Sequence, residues 1–144
     1  MNEIVIKTTL NIQFIKDNYD ELIQQQLFQK CIKDIGYIIE ILNYKQYGDK
    51  IISSFSNNVL LKFIVNVSVF LPEVEKNIET KVIKKIVNCA IAQYKNFIPF
   101  FITKGFEYCE VNDIVTIKIL STKFNNGKYI SLCELIKINE NNVF

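Results

Sequence analysis

Val59-Leu60-Leu61-Lys62-Phe63-Ile64-Val65-Asn66-Val67-Ser68-Val69-Phe70-Leu71-Pro72 is the stretch that decides how this chain is read. Every odd position from Val59 to Leu71 is apolar, while Lys62, Asn66 and Ser68 fall between them. A period of two describes a long strand with one buried face. Pro72 has no N–H to give a sheet ladder, so the strand is expected to stop there. A charged segment, Glu73-Val74-Glu75-Lys76-Asn77, follows, and a second β-rich run starts at Ile78. The expected organisation is two small β-containing units joined at Pro72: residues 1–72 and residues 73–144.

Upstream, Ile4 to Phe14 reads as a first strand, with Ile4, Ile6, Thr8, Leu10, Ile12 and Phe14 on one face. A helix is predicted from about Asn18 to Lys30, with Asn18 as its cap and Glu21 three residues on. Its apolar stripe (Tyr19, Leu22, Ile23, Leu27) is narrow, which suits a helix lying on a sheet. Ile32 to Leu42 is β-rich around Gly36, where a strand glycine permits a bulge or a close backbone approach. Gly48-Asp49 reads as a turn before Ile51 to Phe55, and Asn57-Asn58 as the turn into the long strand.

The second half has a shorter rhythm. Strands are expected over Ile78–Val87, Ala90–Lys95, Phe97–Ile102, Ile114–Leu120 and Tyr129–Leu135. Asn125-Asn126-Gly127 marks a hairpin between the last two, because Asn and Gly accept positive φ. Five short strands with little helix fit a small closed barrel of the OB type. The tail from Asn139 to Phe144 is polar and is expected to fray. The fold class expected is therefore α+β: a small strand-helix-strand domain followed by a five-stranded OB/S1-like barrel.

Composition narrows the chemistry. Of 144 residues, 49 % are hydrophobic and 22 % charged, a globular balance rather than a disordered one. All 17 basic residues are lysine, and histidine is absent. The chain thus has no bidentate guanidinium fork and no imidazole that titrates near neutral pH. Four cysteines (Cys31, Cys89, Cys109, Cys133) lie far apart with no Cys-x-x-Cys pair, so buried free thiols are expected and not a zinc site. There is no Gly-rich phosphate loop, no Ser-His or Cys-His pair and no metal-spaced carboxylate cluster. A non-catalytic protein with no cofactor and no metal is expected. No apolar run approaches the ~18 residues of a membrane-spanning helix. The start of the chain lacks a secretory pattern, which points to an intracellular protein with no membrane partner.

The candidate binding residues are in the second half. Lys81, Lys84 and Lys85 fall on the first barrel strand, Lys95 ends the second, and Lys118 and Lys123 attend the fourth. Tyr94 and Phe97 lie nearby. Aromatic platforms in a basic groove are how OB-folds hold single strands. The net charge of +2 neither demands nor forbids such a partner, and the same lysines also fit an ordinary solvated surface.

At Phe70-Leu71-Pro72-Glu73-Val74 the sequence resembles a family: the larger stalk subunit of archaeal and eukaryotic multi-subunit RNA polymerases, the seventh-subunit or archaeal E-prime type. That family leads from a long strand through an aromatic and Pro-Glu-aliphatic into an S1-type OB barrel. Ile78-Glu79-Thr80-Lys81-Val82 continues the likeness, and Cys89-Ala90-Ile91 stands where Gly-Ala-Phe is usual. In the first half, Cys31 with Gly36-Tyr37-Ile38-Ile39 resembles the family's Cys, four residues, Gly, aromatic and aliphatic pair. Asn112-Asp113-Ile114-Val115 resembles its Gly-Asp-x-Val.

The likeness covers roughly residues 4–136. Thr80, Cys89 and Asn112 replace usual glycines; Asn112 can still adopt the left-handed conformation, whereas Thr80 and Cys89 imply remodelled turns. Ile91 replaces an aromatic on the usual nucleic-acid face. The resemblance implies a non-catalytic stalk subunit of a DNA-directed RNA polymerase, with the first domain as a docking tip on the core subunits, a smaller stalk partner alongside, and the barrel near nascent RNA. Cys31, Gly36, Tyr37, Phe70 and Pro72 would then be structural or interface positions. It also implies a nuclear location in a eukaryotic cell, or the cytoplasm or virion for a viral enzyme. The alternatives are a free-standing S1/OB RNA-binding protein and a structural adaptor without nucleic-acid binding.

Overall fold

The computed structural model describes residues 2–12, 19–52 and 58–140. It divides into two compact units: Met1–Lys30 with Tyr37–Phe70, and Cys31–Gly36 with Leu71–Phe144. The protein is mostly β, with one short α-helix among the described residues.

In the first unit, β4 (Val59–Phe70) pairs antiparallel with β1 (Asn2–Ile12) on one side and with β3 (Gly36–Ile52) on the other. The period-two face of β4 is the buried one, and Leu61, Phe63, Val65, Val67 and Val69 are all core. Even positions of β1 oppose them (Ile4↔Val67, Ile6↔Val65, Thr8↔Phe63, Leu10↔Leu61), so both strands turn the expected side inward. Full burial of such aliphatic and aromatic side chains contributes about 1.5–3 kcal/mol each, which makes β4 the backbone of this core. The helix α1 (Asp20–Leu27) buries Ile23 and Leu27. Just before it, the Tyr19 ring lies 5.4 Å from that of Phe63. Gln26 Nε2 donates to Thr8 Oγ1 at 2.7 Å and to the Thr9 carbonyl, fixing the helix to β1. The predicted cap at Asn18, the end of the first strand at Phe14 and the turn at Asn57 lie outside the described residues.

The strand β3 corrects the sequence reading. Gly48-Asp49 is not a turn between two strands; β3 runs unbroken through it. The partner register instead jumps between Tyr47 and Ile51, with Gly48 at φ 69°. Two further jumps precede it, so that Ile38, Ile41 and Tyr44 face Val69, Val67 and Val65 in turn. Each extra residue on β3 is a bulge, which left the strand with an apolar period of three.

The second unit holds a closed barrel: β5 (Asn77–Lys85), β6 (Ala90–Tyr94), β7 (Ile98–Lys104), β8 (Ile114–Asn125) and β9 (Lys128–Glu140), in the order β5-β6-β7-β9-β8. β8 pairs back onto β5, and β7 with β9 is the parallel pair. This order is consistent with an OB-like barrel. Its interior is filled by Ile78, Val82, Ile98, Phe100, Ile102, Val115, Ile117 and Ile119. Small residues on β6 make room for bulk on β7, as where Ala92 opposes Phe100. Asn126 (φ 51°) and Gly127 (φ 77°) form the predicted hairpin turn. Pro72 is buried just after β4, where the strand was expected to end.

Two more expectations need correction. Thr80 stands inside β5, paired with Val115, and not in a turn. Its hydroxyl is buried with no hydrogen-bond partner among the described residues. Of the tail expected to fray, Asn139 and Glu140 instead belong to β9, and Asn139 Nδ2 donates to Thr116 Oγ1 at 2.8 Å, whereas residues 141–144 lie outside the described residues. All four cysteines are free and buried.

Candidate nucleic-acid interface on the barrel

Cross-strand registers place Lys81, Lys84, Lys118 and Lys123 on the outside of the barrel, while Lys85 and Tyr94 pair with the inward-facing Ala90 and Ile98 at its two ends. Lys81 opposes Gln93 and Lys84 opposes Ile91, so both lysines stand at the β5 border of the β6 surface. Lys85 pairs with Ala90 beside the β5–β6 turn, and its Nζ reaches the Glu107 carbonyl at 3.5 Å. Lys95 lies in the turn after β6 with φ 57°, its Nζ 5.7 Å from the Tyr94 ring centre. Lys123 opposes Ile130 near the β8–β9 hairpin.

These residues do not form one groove. β6 runs from Ala90, beside Lys85, to Tyr94, opposite Ile98. Because β7 and β9 are parallel, the hairpin with Lys123 lies at the Ile98 end. Lys84 and Lys85 therefore mark one end of the barrel, Tyr94, Lys95 and Lys123 the other, and Lys81 stands between. Lys118 is already engaged: its Nζ is 2.8 Å from Glu75 Oε2. That hydrogen bond and the carboxylate's charge push the Lys118 ammonium above its ordinary lysine value.

The surface between the ends is apolar. Ile91 opposes Phe101 across β6–β7, and Phe101 opposes Leu132 across β7–β9. All three side chains point away from the interior set of Ala90, Ala92, Phe100, Ile102, Ser131 and Cys133. Leu132 is 41 % exposed and Ile130 40 %. The sequence did not mark Phe101 because Ile98-Pro99-Phe100-Phe101-Ile102 is apolar on both phases. Of this row only Phe101 offers a ring on which a base can stack.

The remaining candidates are structural in their surroundings. Cys31 and Gly36 are buried, Gly36 at φ 110°. Tyr37 and Phe70 are buried and sit opposite each other in the β3–β4 ladder. Asn112, at φ 78°, takes the left-handed conformation expected of it. Its N–H donates to the Val82 carbonyl at 2.7 Å while the Val82 N–H donates to Asp113 O at 2.9 Å. The buried Asp113 carboxylate accepts the Glu110 N–H at 2.8 Å, closing the turn that starts β8.

Among the described residues no group of His, Cys, Asp and Glu could hold a metal ion, and no helix is long and apolar enough to cross a membrane. The geometry offers two chemistries: scattered lysines for anions, and an aliphatic face for another apolar surface. No protein-family model matches this chain, and no curated protein matches it in sequence.

Proposed function

We propose that this chain is a non-catalytic stalk-type subunit of a DNA-directed multi-subunit RNA polymerase, with the sheet-and-helix unit as its anchor and an S1/OB-type barrel placed near emerging RNA. The observation that carries this reading is the order of parts. A helix-bearing sheet ends at Phe70, and Pro72-Glu73-Val74 leads directly into a closed barrel of OB strand order. That is the sequence of units the resemblance implies. The Asn112-Asp113 turn adds support, since Asn112 fills the left-handed position of a usual glycine. Affinity purification of the tagged full chain from its native source tests the proposal. Large polymerase subunits should co-elute in near-stoichiometric amounts; their absence would defeat it.

A second reading, the adaptor that does not bind nucleic acid, is favoured by one observation. The row Ile91, Phe101 and Leu132 on the outer surface of β6, β7 and β9 offers one ring for a base to stack on, and Lys118 is committed to Glu75. Changing Lys84, Lys85 and Lys118 together to Glu separates the readings. An RNA-binding barrel loses affinity for single-stranded RNA and a part of its salt slope. For the adaptor there is no such affinity to lose.

A further inference from the structure

The free edge of β1 carries a self-complementary run, with Glu3, Val5 and Lys7 on its solvent face, and we infer that two copies of this chain pair antiparallel along it, centred on Val5. The inference concerns the chain by itself and is independent of the polymerase reading.

β1 stands at the end of its sheet, bonded to β4 on one side and to no other strand among the described residues. In an antiparallel pair the N–H and C=O groups of alternate residues turn away from the partner, so β1 presents a row of them outward. Edge strands are ordinarily blunted by shortness, a bulge, a proline or charge. β1 is 11 residues long, contains no proline, and keeps register with β4 without a shift from Asn2↔Val69 to Ile12↔Val59. Val5 is 61 % exposed on it, and Glu3 and Lys7 are exposed to either side. Its one lysine, Lys7, is the remaining guard, and Glu3 four residues away supplies the charge that answers it.

The charge order selects the occupant. A two-fold axis perpendicular to the sheet keeps each face continuous, which allows only registers centred on a residue. Centring on Val5 sets Glu3 opposite Lys7 of the second copy, twice, with Val5 on Val5 between them. On the other face it sets Ile4 opposite Ile6 of the second copy, and both are only half-buried in the single chain. Centring on Glu3 or Lys7 brings like charges face to face, and centring on Ile4 or Ile6 leaves both charges opposite uncharged side chains. The neighbouring strands carry the same polarity: Glu40 shares the row of Glu3 beyond Ser68, Lys45 shares that of Lys7 beyond Ile64, and Lys62 opposes Thr9. The outer face thus has an acidic end and a basic end, which an antiparallel copy sets against each other. Neither Glu3 nor Lys7 is in an ion pair among the described residues. The Lys7 ammonium is 5.6 Å from the Tyr47 ring centre, a neutral neighbour that leaves its charge unanswered. An unrelated strand could bond the same backbone groups, but this charge order fits a second copy.

Sedimentation velocity on the full chain reads the equilibrium, and the wild-type protein should populate a dimer by about 100 μM, as a small interface implies. Glu3→Lys and Lys7→Glu should each raise the dimer dissociation constant by about tenfold or more, because each sets two like-charged pairs across the edge. The double variant Glu3→Lys/Lys7→Glu exchanges the charges and should restore the dimer. Register is read by cross-linking under mild oxidation. Val5→Cys should cross-link, its two copies having Cβ atoms about 5 Å apart. Thr9→Cys, on the same face, should not, because the two copies of that residue lie about 27 Å apart along the strands. The four native cysteines are buried and do not compete. Circular dichroism melting of each variant establishes that the sheet is folded. The inference is overturned if the wild-type chain stays monomeric, including as a monomer that takes up a strand of another protein. It is equally overturned if the dimer survives both single reversals, if the double variant is no better than either, or if Thr9→Cys cross-links as readily as Val5→Cys.

Discussion

The Asp34 N–H donates to the Tyr129 hydroxyl oxygen at 2.7 Å, tying the segment 31–36 to the start of β9 within the second unit. The two residues are 95 apart in sequence. Asp34 sits at φ 67° in the turn after β2 (Cys31–Ile32), so its N–H has no ladder partner of its own. The Tyr129 ring, buried and 5.1 Å from Phe124, is held where its hydroxyl meets that donor. Tyr129→Phe keeps the ring and removes the acceptor. It should cost about 1 kcal/mol, the net worth of one hydrogen bond, read as a lower midpoint in urea.

Two glycines with the same left-handed backbone should respond differently to Ala. At Gly127 (φ 77°) an added Cβ meets nothing within 4 Å, so only the conformational cost of about 1 kcal/mol applies. At Gly105 (φ 82°) it would come to 2.9 Å from Leu135 Cβ. Gly105→Ala adds a steric cost of about 1–3 kcal/mol to the conformational one. Denaturant melts of the two variants should rank Gly105→Ala as the clearly more damaging.

Burial pushes the Cys133 thiol up to about 12 from an ordinary 9.0. The folded state therefore keeps a proton that the unfolded chain releases above pH 9. Stability from this group is complete below that value and is lost as pH rises toward 12. Stability measured from pH 8 to 11 should fall, and Cys133→Ala should flatten part of the fall. With all four thiols buried, native protein should also react slowly with a thiol reagent and rapidly in denaturant.

For Lys118, the hydrogen bond its ammonium donates to the Glu75 carboxylate raises its pKa. The sign is that of a cation gaining a partner: its contribution is intact at neutral pH and lost only as pH climbs through the raised value. Both side chains are solvated, so Glu75→Gln should barely move the melting temperature at pH 7. It should lower the Lys118 pKa in an NMR titration.

Much of the fold could be read where apolar period and element agree. β4 alternates strictly and is buried on its odd positions as expected, and Asn126-Gly127 forms its hairpin turn. β3 was illegible because bulges spread Ile38, Ile41 and Tyr44 at a spacing that is neither strand nor helix. Gly48 resembled a turn for the same reason. The candidate site was legible only as residue types. Which face a lysine takes depends on strand phase, and β7 is apolar on both phases. Lys118 looked available until the chain brought Glu75, 43 residues earlier, against it.

In the proposed function the first unit is an anchor to a larger transcription machine. Cross-linking mass spectrometry on the affinity-purified assembly tests this most directly, using lysine-reactive reagent. Cross-links to large polymerase subunits should arise from Lys7, Lys45 and Lys62 of the sheet, with Lys123 and Lys128 of the barrel hairpin largely free of them. Large-subunit cross-links confined to the barrel lysines, or none at all, would contradict it.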